Sequence, residues 1–151
     1  MAGNSTSGLV SQGDMHPGML KFVDQHIPNA SVLLLNSTPY TLVAAPAVHD
    51  DLLMFLGARF SLIFGSAAFQ SLHDITVRYT NGSGQICGTL TGSSFFNATA
   101  STVREMYPTP SVTFKPVLNA ALVLYQATGN MTTGDSTLIV RTYYRQMKAG
   151  Y

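Results

Sequence analysis

Residues 73–90, HDITVRYTNGSGQICGTL, decide the fold. Ile75, Val77 and Tyr79 fall on one face and Thr76, Arg78 and Thr80 on the other, the period of two that marks a half-buried strand. Asn81-Gly82 then interrupts the run with a dipeptide favoured in tight hairpins, and Ile86, Gly88 and Leu90 resume the alternation. The stretch reads as a β-hairpin. Its Gly82-Ser83-Gly84 spacing lies in the turn and not between a strand and a helix, which denies it phosphate-cradle geometry and leaves the glycines the role of supplying positive φ.

Working outward, Ala120, Leu122 and Leu124 alternate with Ala121, Val123 and Tyr125; ATGNMTTGD (127–135) supplies turn residues and STLIVRTYYR (136–145) follows. This reads as a second hairpin with a long loop. Leu42-Val43-Ala44-Ala45 after Pro39 is a further strand. Residues 52–64 are apolar enough for one long buried strand or two, with Gly57 as a bulge. Val112 to Lys115 adds a short piece, and the best helix signal is Asn97 to Glu105, where Thr102-Val103-Arg104-Glu105 resembles a capping box. Seven or eight short strands with almost no helix imply an all-β fold, an antiparallel β-sandwich or jelly-roll-like domain, with a barrel as the alternative. Val77, Leu122, Leu124, Leu138 and Val140 are its expected core.

The chain has 151 residues, enough for one domain with a real core. Residues 1–17 read as a flexible N-terminal arm, ordered only against a neighbour, and 18–151 as a single domain. Charged residues make up 10% of the chain, against about 25% in an average soluble domain, while 14 Ser and 16 Thr supply the polar surface instead. A net charge of +1 gives no electrostatic footing for nucleic acid or an acidic membrane. The polar start MAGNSTSGLVSQGDMHPG has no signal-peptide pattern, and the apolar window 52–65 is too short to span a bilayer and contains Arg59. Only three lysines are present to blunt sheet edges, so the edges are expected to be covered by neighbouring subunits.

No catalytic, cofactor-binding or metal-ligating constellation emerges. His49-Asp50-Asp51 is the one tight ionisable cluster, and it reads as a solvated loop before it reads as an acid/base pair or metal site. His16 and His26 lie in or near the arm and His73 opens a strand, none at metal-ligand spacing. Cys87, the single cysteine, excludes a disulfide framework and reads as an inert core or half-buried thiol facing opposite Ile86. Tyr143-Tyr144-Arg145 with Arg141 could offer a stacking surface to a sugar or base, but neighbouring strand residues face opposite ways, so one tyrosine belongs to the core. Asn4, Asn29, Asn36, Asn81, Asn97 and Asn130 begin Asn-x-Ser/Thr triplets, read first as turn chemistry and second as glycosylation acceptors.

Three stretches carry a resemblance: LLLNSTPYTLVAAPAVHDDLLMFLGARFSLIFGSAAF (33–69), DITVRYTNGSGQ (74–85) and LNAALVLYQATGNMTTGDSTLIVRTYYR (118–145). Together they resemble small tailed-phage virion structural proteins, over about residues 30–145. The shared motifs are structural, and the chain departs from them at Ala47-Val48-His49, where that family's loop is glycine-rich. The resemblance implies a non-enzymatic capsid decoration or cement subunit with a β-sandwich fold, no cofactor, and residence in the virion after assembly in the host cytoplasm. The partners it implies are the major capsid protein and further copies of the chain, as a dimer or trimer, with neither nucleic acid nor membrane. A tail or neck component is the runner-up, and a carbohydrate-binding β-sandwich module is the alternative from a different class.

Overall fold

The computed structural model describes residues 18–71, 73–110 and 114–149. The expectations for the arm, and for Val112 and Thr113, lie outside these residues. The elements in chain order are β1 (Leu20–Ile27), α1 (Asn29–Leu33), β2 (Tyr40–Val43), β3 (Asp51–Ile63), β4 (Ile75–Tyr79), β5 (Ile86–Leu90), α2 (Gly92–Phe96), β6 (Thr102–Met106), β7 (Leu122–Gln126) and β8 (Thr137–Lys148). Both helices are single five-residue turns, and among the described residues no helix is long and apolar enough to cross a membrane.

The strands form two four-stranded sheets packed on one core, ordered β1-β8-β3-β6 and β2-β7-β4-β5. Antiparallel pairs join β1 to β8, β2 to β7, β3 to β6 and β4 to β5. The chain is therefore one long hairpin, closed at β4–β5 and rolled so that successive pairs alternate between the sheets, which is the jelly-roll order. Val77, Leu122, Leu124, Leu138 and Val140 are all fully buried, as their alternation requires.

Strand β3 is a single strand, and Gly57 is its bulge. The register against β8 slips between Phe55 and Gly57, whose φ is +142°. Before the slip Leu53 and Phe55 face the core, and after it Ala58, Phe60 and Leu62 do. Without the extra residue, half the strand would turn its apolar set to solvent.

Four expectations need correction. First, β7 and β8 do not pair but lie in opposite sheets. The Asp135 carboxylate accepts hydrogen bonds from the amides of Ser66 and Ala67 and from the Ser66 hydroxyl, which ties the start of β8 to the exit of β3 and carries the chain across the sandwich. Second, Asn97 to Glu105 is not a helix. The helical turn is α2, just upstream, and Thr102, Val103 and Glu105 pair with Leu62, Ser61 and Arg59 in β6. A capping signal with no apolar stripe behind it yields to strand pairing with β-branched residues. Third, a bulge opposite Val77 and Arg78 leaves Cys87 out of the β5 ladder and turns it inward, so that Ile86 faces out and the expected face of β5 holds only from Gly88 onward. Fourth, Gly82 and Gly84 serve close approach and not positive φ, which in this turn belongs to Thr80 at +67°. A Cβ on Gly84 would sit 1.7 Å from the Tyr79 carbonyl oxygen, and one on Gly82 would sit 2.5 Å from the Tyr125 ring.

Strand β1 and helix α1 carry weak signals. In β1 only Ile27 is fully buried, because an edge strand needs a complete apolar face over only part of its length. Across the core, the Tyr79 hydroxyl donates to the Leu53 carbonyl of the opposite sheet, and burial holds that phenol well above its ordinary pKa. At one end, edge-to-face contacts run from Phe60 through Phe95 and Phe96 to Phe69, with centroids 6.1, 5.0 and 5.7 Å apart.

Candidate functional site

Once the core is filled, the outward residues of the β1-β8-β3-β6 sheet remain. Leu20 and Phe22 on β1 are each 59% exposed, and Ile63 on β3 and Val103 on β6 are about half exposed. Between them lie half-buried Leu52, Met54 and Leu56 of β3 and Ile139 and Tyr143 of β8. A large exposed apolar area on one sheet face is the feature that most often marks a contact surface in a folded domain.

One row of charge crosses this face. In register, Asp24 of β1 lies opposite Arg141 of β8, Arg141 opposite Arg59 of β3, and Arg59 opposite Glu105 of β6. The four strands thus present acid, base, base, acid in a line. Like charges directly opposite on neighbouring strands repel, and here each arginine turns outward to its own carboxylate. Arg141 Nε and Nη2 grip the two oxygens of Asp24 at 2.7 Å each, and Arg59 Nε donates to Glu105 Oε1 at 2.7 Å. The fork on Asp24 holds its carboxyl below the usual carboxylate range and raises Arg141 further, while Glu105 raises Arg59. The Arg141 guanidinium also lies 4.7 Å over the Phe22 ring. A shallow depression of about 370 Å³ sits over the row, lined by Asp24, His26, Arg59, Ser61, Ile139 and Arg141.

A larger cavity of about 560 Å³ opens at the end of the sandwich, among Phe69, Gln70, His73, Asn97, Gln126 and Asn130. It carries no formal charge. Its amides are engaged in holding loops together. Asn97 Oδ1 accepts from the Ser71 amide at 2.8 Å, Gln126 Nε2 donates to the Gly129 carbonyl at 2.8 Å, and Asn130 Oδ1 accepts from the Asn36 and Ser37 amides.

The candidates from the sequence scatter. His49 and Asp50 are exposed and touch at 3.2 Å, but Asp51 is buried at the start of β3, where its Oδ2 accepts from Gln146 Nε2 at 2.7 Å and its Oδ1 has no partner. The solvated-loop reading therefore covers His49 and Asp50 and fails for Asp51. His26 lies just beyond the arm on β1, beside the charge row; His73 lines the end cavity, and His16 lies outside the described residues. Among the described residues no three of His, Cys, Asp or Glu are placed to hold a metal. Cys87 is buried, and desolvation pushes its thiol up to about 12, far from a thiolate nucleophile. Tyr144 packs on the core while Tyr143 looks outward, and Arg141 is already held by Asp24.

The five described triplet asparagines all have their side chains hydrogen-bonded, two locally and three across the fold. Asn29 accepts from the Ala30 amide, Asn81 from the Ser83 amide and Asn97 from the Ser71 amide, while Asn36 Nδ2 donates to the Gln126 carbonyl and Asn130 Nδ2 to the Ser37 hydroxyl. Asn29 and Asn81 show the turn chemistry expected of them, whereas Asn36, Asn97 and Asn130 tie loops that lie far apart in the chain. The charge row had no sequence signal, since Arg141 and Asp24 are 117 residues apart and Arg59 and Glu105 are 46 apart. Only strand register brings them into line. No protein-family model matches the chain, and no curated protein matches it.

Proposed function

We propose that this protein is a non-enzymatic structural subunit of a phage virion, a decoration or cement protein that binds the assembled head through the outer face of its β1-β8-β3-β6 sheet. The observation that carries this reading is that face: exposed Leu20, Phe22, Ile63 and Val103 surround a row of four charges that neutralise one another, with Arg145 of β8 as a further outward cation beside Leu20. Such a surface suits the covering of protein, not the neutralising of phosphates. The jelly roll adds support as a fold used by viral capsid proteins, although lectins share it and fold alone carries no function. The resemblance of residues 30–145 to tailed-phage virion proteins points the same way, to the major capsid protein as partner, to self-association and to residence in the virion. A subunit that binds only the assembled shell stabilises it by its binding free energy, multiplied over many copies.

The test is cosedimentation with purified heads lacking the protein. Attachment should survive a rise to about 1 M salt, where the Debye length falls to about 3 Å, because the contact is apolar and the four charges of the row are satisfied within the subunit, which leaves Arg145 as the outward charge to be screened. Phe22→Ser and Val103→Ser should weaken it. Loss of binding at moderate salt, or indifference to both substitutions, overturns the apolar-face reading. The end cavity favours a second reading, a carbohydrate-binding module, since its uncharged amide, imidazole and hydroxyl lining suits a neutral hydroxylated ligand. Retention on a glycan array without head binding would select it.

A further inference from the structure

We infer that two copies of the chain associate through the β1–β8 half of the exposed sheet face, about a twofold axis that lies in the contact plane and runs parallel to these strands. This rests on the reading of the protein as a self-associating surface subunit and assigns the surface used. The argument is charge complementarity within the row. If two faces stack centred on each other about such an axis, β1 covers the partner's β6 and β8 covers the partner's β3. Asp24 then meets the partner's Glu105, and Arg141 meets the partner's Arg59, so every charge faces its like. A shift that places the axis between β1 and β8 reverses this. Each residue of β1 then lies over the partner copy of its own cross-strand neighbour. Asp24 meets the partner's Arg141 twice over, Phe22 meets the partner's Tyr143, His26 meets the partner's Ile139, and Leu20 at the end of the strip meets the aliphatic stem of the partner's Arg145.

The same shift covers Leu20 and Phe22, the two most exposed apolar side chains of the face. It leaves the β3–β6 half of each copy, with Ile63 and Val103, uncovered, the two halves facing opposite ways, so that one copy of the pair at a time presents this half to a capsid surface. Eight residues of β1 make a strip about 27 Å long, and at two strands wide the contact falls below the usual area of a stable interface. The free dimer is therefore weak and forms only at high protein concentration.

Sedimentation equilibrium of the full chain up to about 1 mM tests this. Wild type should self-associate. Asp24→Arg puts an arginine against the partner's Arg141, with Arg145 a third on the strip, and Arg141→Asp puts an aspartate against the partner's Asp24, so each variant alone should associate at least about tenfold more weakly. An equimolar mixture should recover association to within about threefold of wild type, because only a contact between chains can be rescued by mixing; the intrachain pair is broken in both variants. Circular dichroism melts verify that each is folded, and Phe22→Ser, which leaves the charges alone, should also weaken association. A monomeric wild type, variants that associate like wild type, or a mixture without rescue would each overturn the inference. Head cosedimentation is scored separately, so a monomer that still binds heads removes the dimer and leaves the capsid reading intact.

Discussion

The two sheets share one core and differ on their outer faces. The β2-β7-β4-β5 sheet exposes Thr41, Thr89 and Ile86 and keeps Thr76 buried, and its one outward cation, Arg78, is used at home: Nε donates to Thr76 Oγ1 at 2.8 Å, Nη1 to the Gly82 carbonyl at 2.7 Å, and the guanidinium lies 4.8 Å over the Tyr125 ring. The β1-β8-β3-β6 sheet exposes Leu20, Phe22, Ile63 and Val103 around its four-charge row. One face is finished by two threonines and a single exposed apolar side chain around a satisfied arginine, and the other keeps four apolar side chains open to solvent. Burial decides which residues build a sheet. Only the far side shows which sheet has further contacts to make.

The largest effect should come from the shared core, where the sheets are alike. Val140 is fully buried at the centre of β8, so Val140→Asp buries an unpaired charge and should cost upwards of about 4 kcal/mol, while Leu122→Ala should cost about 2–5 kcal/mol. Denaturant melts check both, and a normally melting Val140→Asp protein would mean that the inward face of β8 is inverted.

Next come the backbone constraints of the finished side. Gly84→Ala collides with the Tyr79 carbonyl and should cost about 3 kcal/mol, whereas Gly129→Ala, at φ +91° with nothing near its Cβ, should cost about 1 kcal/mol. Equal costs would show that the hairpin turn relaxes.

The surface residues separate the sheets directly. Arg78→Gln removes two charge-assisted hydrogen bonds and a ring contact and should cost about 1–2 kcal/mol, while Phe22→Ser removes only the ring contact with Arg141, should cost no more than about 0.5–1 kcal/mol, and should act chiefly on association. The reverse order of the two melting temperatures would erase the distinction between a finished and an open face.

The smallest effect is acid sensitivity. Arg141 holds Asp24, and the Ser66 hydroxyl with the Ser66 and Ala67 amides holds Asp135, below the ordinary carboxylate pKa of 3.8. Folded values below unfolded ones stabilise the fold at neutral pH, and that contribution disappears as pH falls through the folded values. Melting temperature should therefore be flat from about pH 7 to 5 and decline below about pH 4, less steeply in the Asp24→Asn and Asp135→Asn variants.

Strand existence and the buried face were legible wherever short-range alternation was complete. Ile75-Val77-Tyr79, Leu122-Leu124 and Leu138-Val140 all face the core as read, and Gly57 is the bulge that an odd-to-even switch in β3 demanded. These features depend on neighbours two residues apart and on the pleat, so local sequence contains them. Sheet membership does not work that way. β7 and β8 look like a hairpin along the chain, yet they are separated by an Asp135–Ser66 tie that only the folded molecule makes. Cys87 and Ile86 exchanged faces because of a register slip against a strand eight or more residues away. The line of Asp24, Arg141, Arg59 and Glu105 follows from three strand registers at once. What the sequence determined by itself was an all-β, weakly charged domain with its core residues placed. The tertiary structure alone decided the jelly-roll order, the finished sheet and the open one, because pairing register over long chain separations is set by how the whole core closes and not by any local period.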